Sequence, residues 1–471
     1  MVDSVSSRPL RAANNNIADA DAAYERGVAL QAAGRLHDAI EAWRKALESD
    51  PRHTPALYNC AVGLALAGDA AGAVAAYEHL LDAQPDHRDG LYNLANLHMR
   101  ARRCDESAGF YRRLIAKHPA FAPGWINYAL CEAERRRPAE SEALLRRALA
   151  LDPHNANAHW NLSHILLARH EWKEAWQQYE WRLKRAECPK PPVDAPDWPG
   201  NHPSARRILL WNDQGLGDAL QFLRYAEPLA EQGHEVYVFV QDALKNIAAT
   251  AKGVTRVIGA SDPVPEVDAQ APLLSLPHRL PLADPKESWR GPYLRAPKPM
   301  DLPCREGHRA IGIAWAGNPD HPNDAIRSMH LRGLAPLFDL PGIDWFSLQV
   351  GSPAAQIGEN NLAARLHDFS PRLRNFTDTA SAMMACDLVI TVDTAVAHLA
   401  GALGRPAYVM LSPAREWRWA GQESESLWYP TLRLFRQKEA GDWGGVVAAI
   451  KGILEANTQL LSPQPPVTLF P

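Results

Sequence analysis

No stretch of this 471-residue chain approaches the ~20 consecutive apolar residues that a membrane-spanning helix needs. The opening MVDSVSSRPLRAANNN has no apolar core of the kind a secretory signal carries. A transmembrane segment is not expected, and a cytoplasmic location is. Net charge is only -4, so the chain has no basic field to attract phosphate backbones, and nucleic acid is not expected among its partners. The six cysteines (Cys60, Cys104, Cys131, Cys188, Cys304, Cys386) are far apart with no CxxC pair. Three of them fall in helical segments where small apolar residues pack, so buried, reduced thiols are expected. Nothing resembling GxGxxG follows a first strand, which removes the main support for a nicotinamide enzyme. A DxD-type carboxylate pair is also missing from any suitable loop, and no metal or cofactor is expected.

What the chain does have is period. Pro51, Pro85, Pro119 and Pro153 stand at a constant spacing of 34 and close successive helix-turn-helix units. Each unit has a small residue in its first helix (Gly27, Ala61, Ala95, Ala129, Ser163) and a bulky one in its second (Trp43, Tyr77, Tyr111, Leu145, Tyr179). This is the signature of a five-repeat tetratricopeptide array over residues 20–187. Such helix pairs cannot bury their apolar faces alone, so they stack into a superhelix whose groove suits an extended peptide. One helical position carries Asn59, Asn93, Asn127 and Asn161. These carboxamides either line the groove, where each offers a donor and an acceptor to a peptide main chain, or serve packing and local hydrogen bonds.

The texture then changes. Residues 1–19 read as disordered and residues 188–206 as a proline-rich linker that cannot propagate helix. From Arg207, short apolar strands alternate with amphipathic helices. RILLWN, EVYVFV, VTRVIG and APLLSL are strands of a first half (207–296). AIGIAWAG, DWFSLQ, DLVITV and AYVMLS are strands of a second half (297–461), which is followed by a tail (462–471). Alternation of this kind implies parallel sheets, and two such units imply two Rossmann-like halves facing across a cleft. The fold class is thus α plus α/β.

Three segments could carry chemistry. In DQGLGDALQF, Gly215 and Gly217 allow a tight turn into a helix that Asp218 either caps or uses to face the cleft as a proton acceptor. In DLVITVDTAVAHLAGALGRP, Asp393 and Thr394 open a helix after a strand, an anion site by its free amides, with His398 a turn further on. In IAWAGNPDHPNDAIRSMHL, Gly317 and Asn318 allow close approach to a ligand, and Arg327 with Ser328 could clamp a diphosphate. A solvated loop is the other reading of that segment. Arg415, Trp417, Arg418 and Trp419 in SPAREWRWAG suggest a lid that stacks on a base or sugar.

The segments GLGDALQF, IAWAGNPDHPNDAIRS and VDTAVAHLAGALGRP, in this order, resemble glycosyltransferase family 9, the heptosyltransferase-like enzymes of GT-B fold. With the N-terminal array the chain resembles bacterial tetratricopeptide glycosyltransferases and, in architecture, the protein O-GlcNAc transferases. The resemblance implies a nucleotide diphosphate sugar as donor. It implies Asp218 as catalytic base and donor contacts from Gly217, Asn318, Arg327, Ser328, Asp393, Thr394 and His398. Arg327 stands where such enzymes usually carry lysine. The asparagine ladder resembles the one that holds acceptor peptides in O-GlcNAc transferases, which implies a protein or peptide acceptor. Two alternatives stay open: a non-catalytic scaffold with a degenerate transferase domain, and a transferase acting on a surface glycan.

Overall fold

Ten helices in antiparallel pairs open the computed structural model, which describes residues 8–200, 205–413, 416–421 and 424–458. The pairs are α1 (Arg8–Ala32) with α2 (Leu36–Ser49), α3 (Thr54–Leu66) with α4 (Ala70–Ala83), and α5 (Arg88–Arg100) with α6 (Cys104–Lys117). They continue with α7 (Ala122–Glu134) and α8 (Pro138–Leu151), then α9 (Ala156–Ala168) and α10 (Trp172–Tyr179). Helix α1 starts at Arg8, so residues 8–19 are helical where disorder was expected. The remainder of that expectation, and the tail 462–471, lie outside the described residues.

The small-against-large pattern is what closes each pair. Trp43, Tyr77, Tyr111, Leu145 and Tyr179 are all essentially inaccessible, as are Ala61, Ala95, Ala129 and Ser163 opposite them. At Gly27 a Cβ would come within 2.3 Å of the Trp43 indole nitrogen, so glycine is the residue that lets this bulkiest of the five side chains in. The starts of α3, α4 and α5 are capped by side chains: His53 Nδ1 accepts from the Ala56 amide at 3.1 Å, Asp69 from Gly72 at 2.8 Å and His87 from Gly90 at 3.0 Å. The turn inside each pair needs one left-handed residue. Gly34 and Gly68 supply it in the first two repeats, but Arg102, Arg136 and His170 adopt it in the last three, at φ 60°, 60° and 64°.

By contacts, the chain divides into Met1–Leu162 and Ser163–Pro471, within α9 and well before the proline-rich stretch expected to be the boundary. The reason is that α10 belongs to the second unit. Trp176 donates its indole N–H to the Ala283 carbonyl at 3.0 Å and meets Phe222 and Trp417 edge-on at 5.8 and 5.6 Å. Just after it, the buried Arg182 bonds Asp213 at 2.7 Å, Ser275 at 2.9 Å and Glu180 at 2.9 Å. The proline-rich segment is no free spacer either. Trp198 is buried, its amide donates to Gln270 at 2.8 Å, and the Gln270 amide returns a bond to Pro196 at 2.9 Å.

The rest of this unit holds two parallel sheets. The first comprises β1 (Arg207–Trp211), β2 (Glu235–Phe239), β3 (Val254–Ile258) and β4 (Ala269–Pro272), in the order β3-β2-β1-β4. The fourth strand stops at Pro272 and gives way to a 3-10 turn at Leu273–Ser275, so only the start of APLLSL is extended. Proline has no N–H to continue a ladder. The second sheet comprises β5 (Arg309–Ala314), β6 (Ile343–Ser347), β7 (Leu366–Asp368), β8 (Leu388–Val392), β9 (Ala407–Leu411) and β10 (Leu432–Arg436). Its order, β10-β9-β8-β5-β6-β7, is the doubly wound one, with its reversal between β5 and β8. The two edge strands were not anticipated: β7 has three residues, and β10 alternates charged with apolar ones.

Cys60, Cys131 and Cys386 are buried free thiols as expected. Cys104 and Cys188 are half-buried and Cys304 is exposed, because it lies in the connection before β5 and not on a packed helix face.

Candidate functional site

In an open parallel sheet the crevice lies beyond the carboxyl ends of the strands at the point where the order reverses. Asp393 and Thr394 directly follow β8, and the loop with Gly317 directly follows β5, so both flank that crevice. Gly215 to Asp218 follow β1, at the reversal of the first sheet, and lead into α11 (Leu216–Phe222). The helix Ala395–Ala402 packs against α11. A Cβ on Gly217 would lie 2.8 Å from His398 Cδ2 and 3.5 Å from its Nε2. Glycine at 217 is thus required by the approach of the two sheets' helices.

Asp218 caps the helix start and reaches the crevice, with both carboxylate oxygens engaged. Its Oδ2 accepts from the Gly215 amide at 2.9 Å, closing the start of α11. Its Oδ1 accepts from the guanidinium of Arg418, which comes from the loop after β9. Burial raises the Asp218 carboxyl above its ordinary value, against the lowering effect of Arg418. Arg418 is held in turn by Gln221, whose Oε1 accepts from Nε at 3.0 Å, by Glu416, and by the Trp417 ring 4.0 Å beneath its guanidinium carbon.

Across the crevice, Thr394 caps the helix Ala395–Ala402, its hydroxyl accepting from Val396 N–H at 3.3 Å. The Asp393 carboxylate accepts from the Trp419 indole at 2.7 Å. Burial first, and then the negative charge of Glu416, push its pKa up to about 6; Arg327 and Arg418 both act in the opposite sense. His398 is buried, stacked on Trp419 at 5.1 Å, with Nδ1 3.0 Å from the Tyr429 hydroxyl. Burial and the charges of Arg418 and Arg224 hold it well below the usual imidazole range, so it is neutral.

The third segment divides. Arg327 packs against Gly317, its Nε buried without a hydrogen bond and 3.6 Å from Asp324 Oδ1. Ser328, in contrast, is committed within the loop: its hydroxyl accepts from the Gly317 amide at 2.8 Å and donates to Asp324 at 2.7 Å. Asn318 is exposed and its oxygen accepts from the Asp320 amide at 3.2 Å, making a turn. These two brace the loop that carries Arg327. The stacking lid is also corrected. Trp417 and Trp419 are buried, because α10 and His398 cover their faces. Arg415 lies outside the described residues.

In the first unit the asparagine ladder is tied to a ladder of tyrosines. Asn59 Nδ2 donates to the Tyr24 hydroxyl at 3.4 Å, Asn93 to Tyr58 at 3.4 Å and Tyr77 at 3.1 Å, and Asn127 to Tyr92 at 2.9 Å and Asn96 Oδ1 at 2.8 Å. Among the described residues no donor reaches the Oδ1 atoms of these three. Asn161 continues the line, with Ile126 where the next tyrosine would stand. The tyrosines were missed in the sequence, although Tyr24, Tyr58 and Tyr92 repeat at the same 34-residue interval.

The tetratricopeptide-repeat family matches residues 24–88, 64–122, 92–156 and 129–186, so the N-terminal region is a tetratricopeptide array. A curated relative, protein FlbA of Caulobacter vibrioides, is 24% identical over 328 residues, 61% of this chain and 54% of that protein. The chain therefore spans about half the length of the curated relative it matches. Among solved structures, MamA of Desulfovibrio magneticus is 17% identical, covering 36% of this chain and 97% of that one at a TM-score of 0.34. A tetratricopeptide protein of Thermus thermophilus is 23% identical, with 36% and 91% covered at a TM-score of 0.29. No helix among the described residues is long and apolar enough to cross a membrane.

Proposed function

We propose that the second unit is an inverting glycosyltransferase of the family 9, GT-B kind, using a nucleotide diphosphate sugar, and that the array presents it with a protein or peptide acceptor. The acceptor hydroxyl attacks the anomeric carbon, Asp218 takes its proton, and the bond from that carbon to the diphosphate breaks with its electron pair going to the phosphate oxygen. Arg327 and the helix start at Thr394 meet the charge that develops on the leaving group, so the donors are in place before it forms. Neutral His398 packs its Cδ2 against Gly217 and offers Nε2 to a sugar or phosphate oxygen in the crevice beside it. In the array, Asn59, Asn93 and Asn127 keep their carboxamide oxygens for the N–H groups of an extended peptide.

The observation that supports this reading most is the approach of Gly217 to His398, which brings a carboxylate from one sheet to the crevice of the other. A protein-interaction scaffold without turnover is the competing reading, favoured by the engagement of Asp218 with Arg418. Purified protein incubated with UDP-, GDP- and ADP-sugars separates the two. Release of nucleoside diphosphate above the uncatalysed rate is expected. Its absence for all of them, together with no thermal shift at millimolar ligand, sinks the transferase reading and leaves the scaffold.

A further inference from the structure

The carboxylate that the proposed reaction needs as proton acceptor has both oxygens occupied, one by the Gly215 amide and one by Arg418. The first bond is local to α11. The second joins residues 200 positions apart in sequence, from the two different sheets. Arg418 also has a foothold that does not depend on Asp218. Its guanidinium lies over Trp417 at 4.0 Å, its Nε donates to Gln221, and Glu416 holds a further N–H. It can therefore leave the carboxylate without leaving the crevice. Arg327, from the loop after β5, has its Nε buried without a hydrogen bond. The charges of both arginines reach Asp393. One guanidinium is thus engaged with a carboxylate across the cleft, and the other has an Nε buried without a hydrogen bond.

Resting on the transferase reading, we propose that Arg418 is a latch on Asp218 that a nucleoside diphosphate releases. A diphosphate lodged beside Asp393 and Thr394 offers Arg418 more negative charge than one carboxylate, and in a bidentate-compatible form. Arg418 turns to it about its Trp417 foothold, and Asp218 becomes free to accept a proton. Without donor the base stays masked, so acceptor binding alone does nothing. The expected order is donor first, acceptor second. Arg418 is a positioning residue for the base and a binding residue for the donor, in alternation.

The test is a double-mutant cycle on the full chain, with calorimetric titration of UDP, GDP and ADP into wild type, Asp218→Asn, Arg418→Gln and the double variant. Asp218→Asn removes the competitor for Arg418, so the best-binding diphosphate should bind about tenfold tighter, the order of a hydrogen bond to a charged group. Arg418→Gln should bind it more weakly than wild type. In the Arg418→Gln background, Asp218→Asn should add nothing, because the gain acts through Arg418. A gain that persists there would show simple relief of repulsion between carboxylate and phosphate and would overturn the latch. Unchanged affinity in Asp218→Asn, with wild type binding, would overturn the latch and leave the transferase reading standing. No binding of any of the three to wild type or to Asp218→Asn would overturn that reading and the latch with it. If Arg418→Gln loses its cooperative melting transition, Arg418→Met replaces it in the cycle; it keeps the apolar stem beside Trp417 without the charge, and the same outcomes apply.

Discussion

Asn93 donates to two tyrosine hydroxyls at once, Tyr77 at 3.1 Å and Tyr58 at 3.4 Å, both on the preceding helix pair. The carboxamide is therefore fixed in rotation, and its oxygen is aimed by the array itself. Tyr77 is buried, and burial pushes its hydroxyl up to about 12, so it remains a neutral partner across the whole working range.

Asn93→Ala should then cost stability as well as acceptor binding. The loss should be about 1 kcal/mol, the net worth of a typical hydrogen bond, read from urea unfolding of the full chain. Tyr58→Phe should weaken acceptor binding with a smaller stability loss, since only the longer contact goes. Equal acceptor affinity in both variants and wild type would remove the ladder from recognition.

Asp218→Asn should lower transfer by ~10²- to 10⁴-fold, the usual contribution of a positioned general base. The loss should lie in turnover, with diphosphate affinity improved and not weakened. Transfer within tenfold of wild type would exclude Asp218 as the base.

Arg327→Ala should weaken diphosphate binding by ~1.5–3 kcal/mol, the range for hydrogen bonds to charged groups. Ser328→Ala should do so only indirectly, through the loop, and its effect should be smaller. Calorimetry giving the reverse ranking would reassign the clamp to the serine.

His87 makes a pH prediction. Its Nδ1 accepts from the Gly90 amide and so must be unprotonated, and burial lowers its pKa in the fold. A histidine lowered in the native state contributes stability that is complete above its unfolded value of about 6.5 and lost as pH falls through the folded value. His87→Asn keeps a capping acceptor that does not titrate. Urea midpoints at pH 7 and pH 5 should differ less for the variant than for wild type; an equal drop in both would show that His87 is not the group responsible.

The repeat register and most strands were legible because they rest on local pattern: the 34-residue interval, apolar runs, and glycine after strand. Asp218, Asp393, Thr394 and His398 could be placed for the same reason, since a strand-turn-helix puts them at a sheet's carboxyl edge. What could not be read is the pairing of Arg418 with Asp218, which depends on how two sheets meet, and the local duties of Asn318 and Ser328, which depend on loop geometry. The tyrosine ladder was readable in principle, because Tyr24, Tyr58 and Tyr92 keep the period. It lay hidden because tyrosine on a helix reads as ordinary packing.

The seating of α10 in the α/β unit bears on how such a chain can be inherited. Trp176 rests on Phe222 and Trp417, and Arg182 neutralises the buried Asp213. A recombination at the proline-rich stretch would carry that helix away and leave Asp213 without its counter-ion and the Phe222 and Trp417 rings without their cover. Arrays of different length can therefore be exchanged only upstream, by whole repeats. Lineages of this architecture should vary in the number of early repeats while keeping their last helix with the sheets.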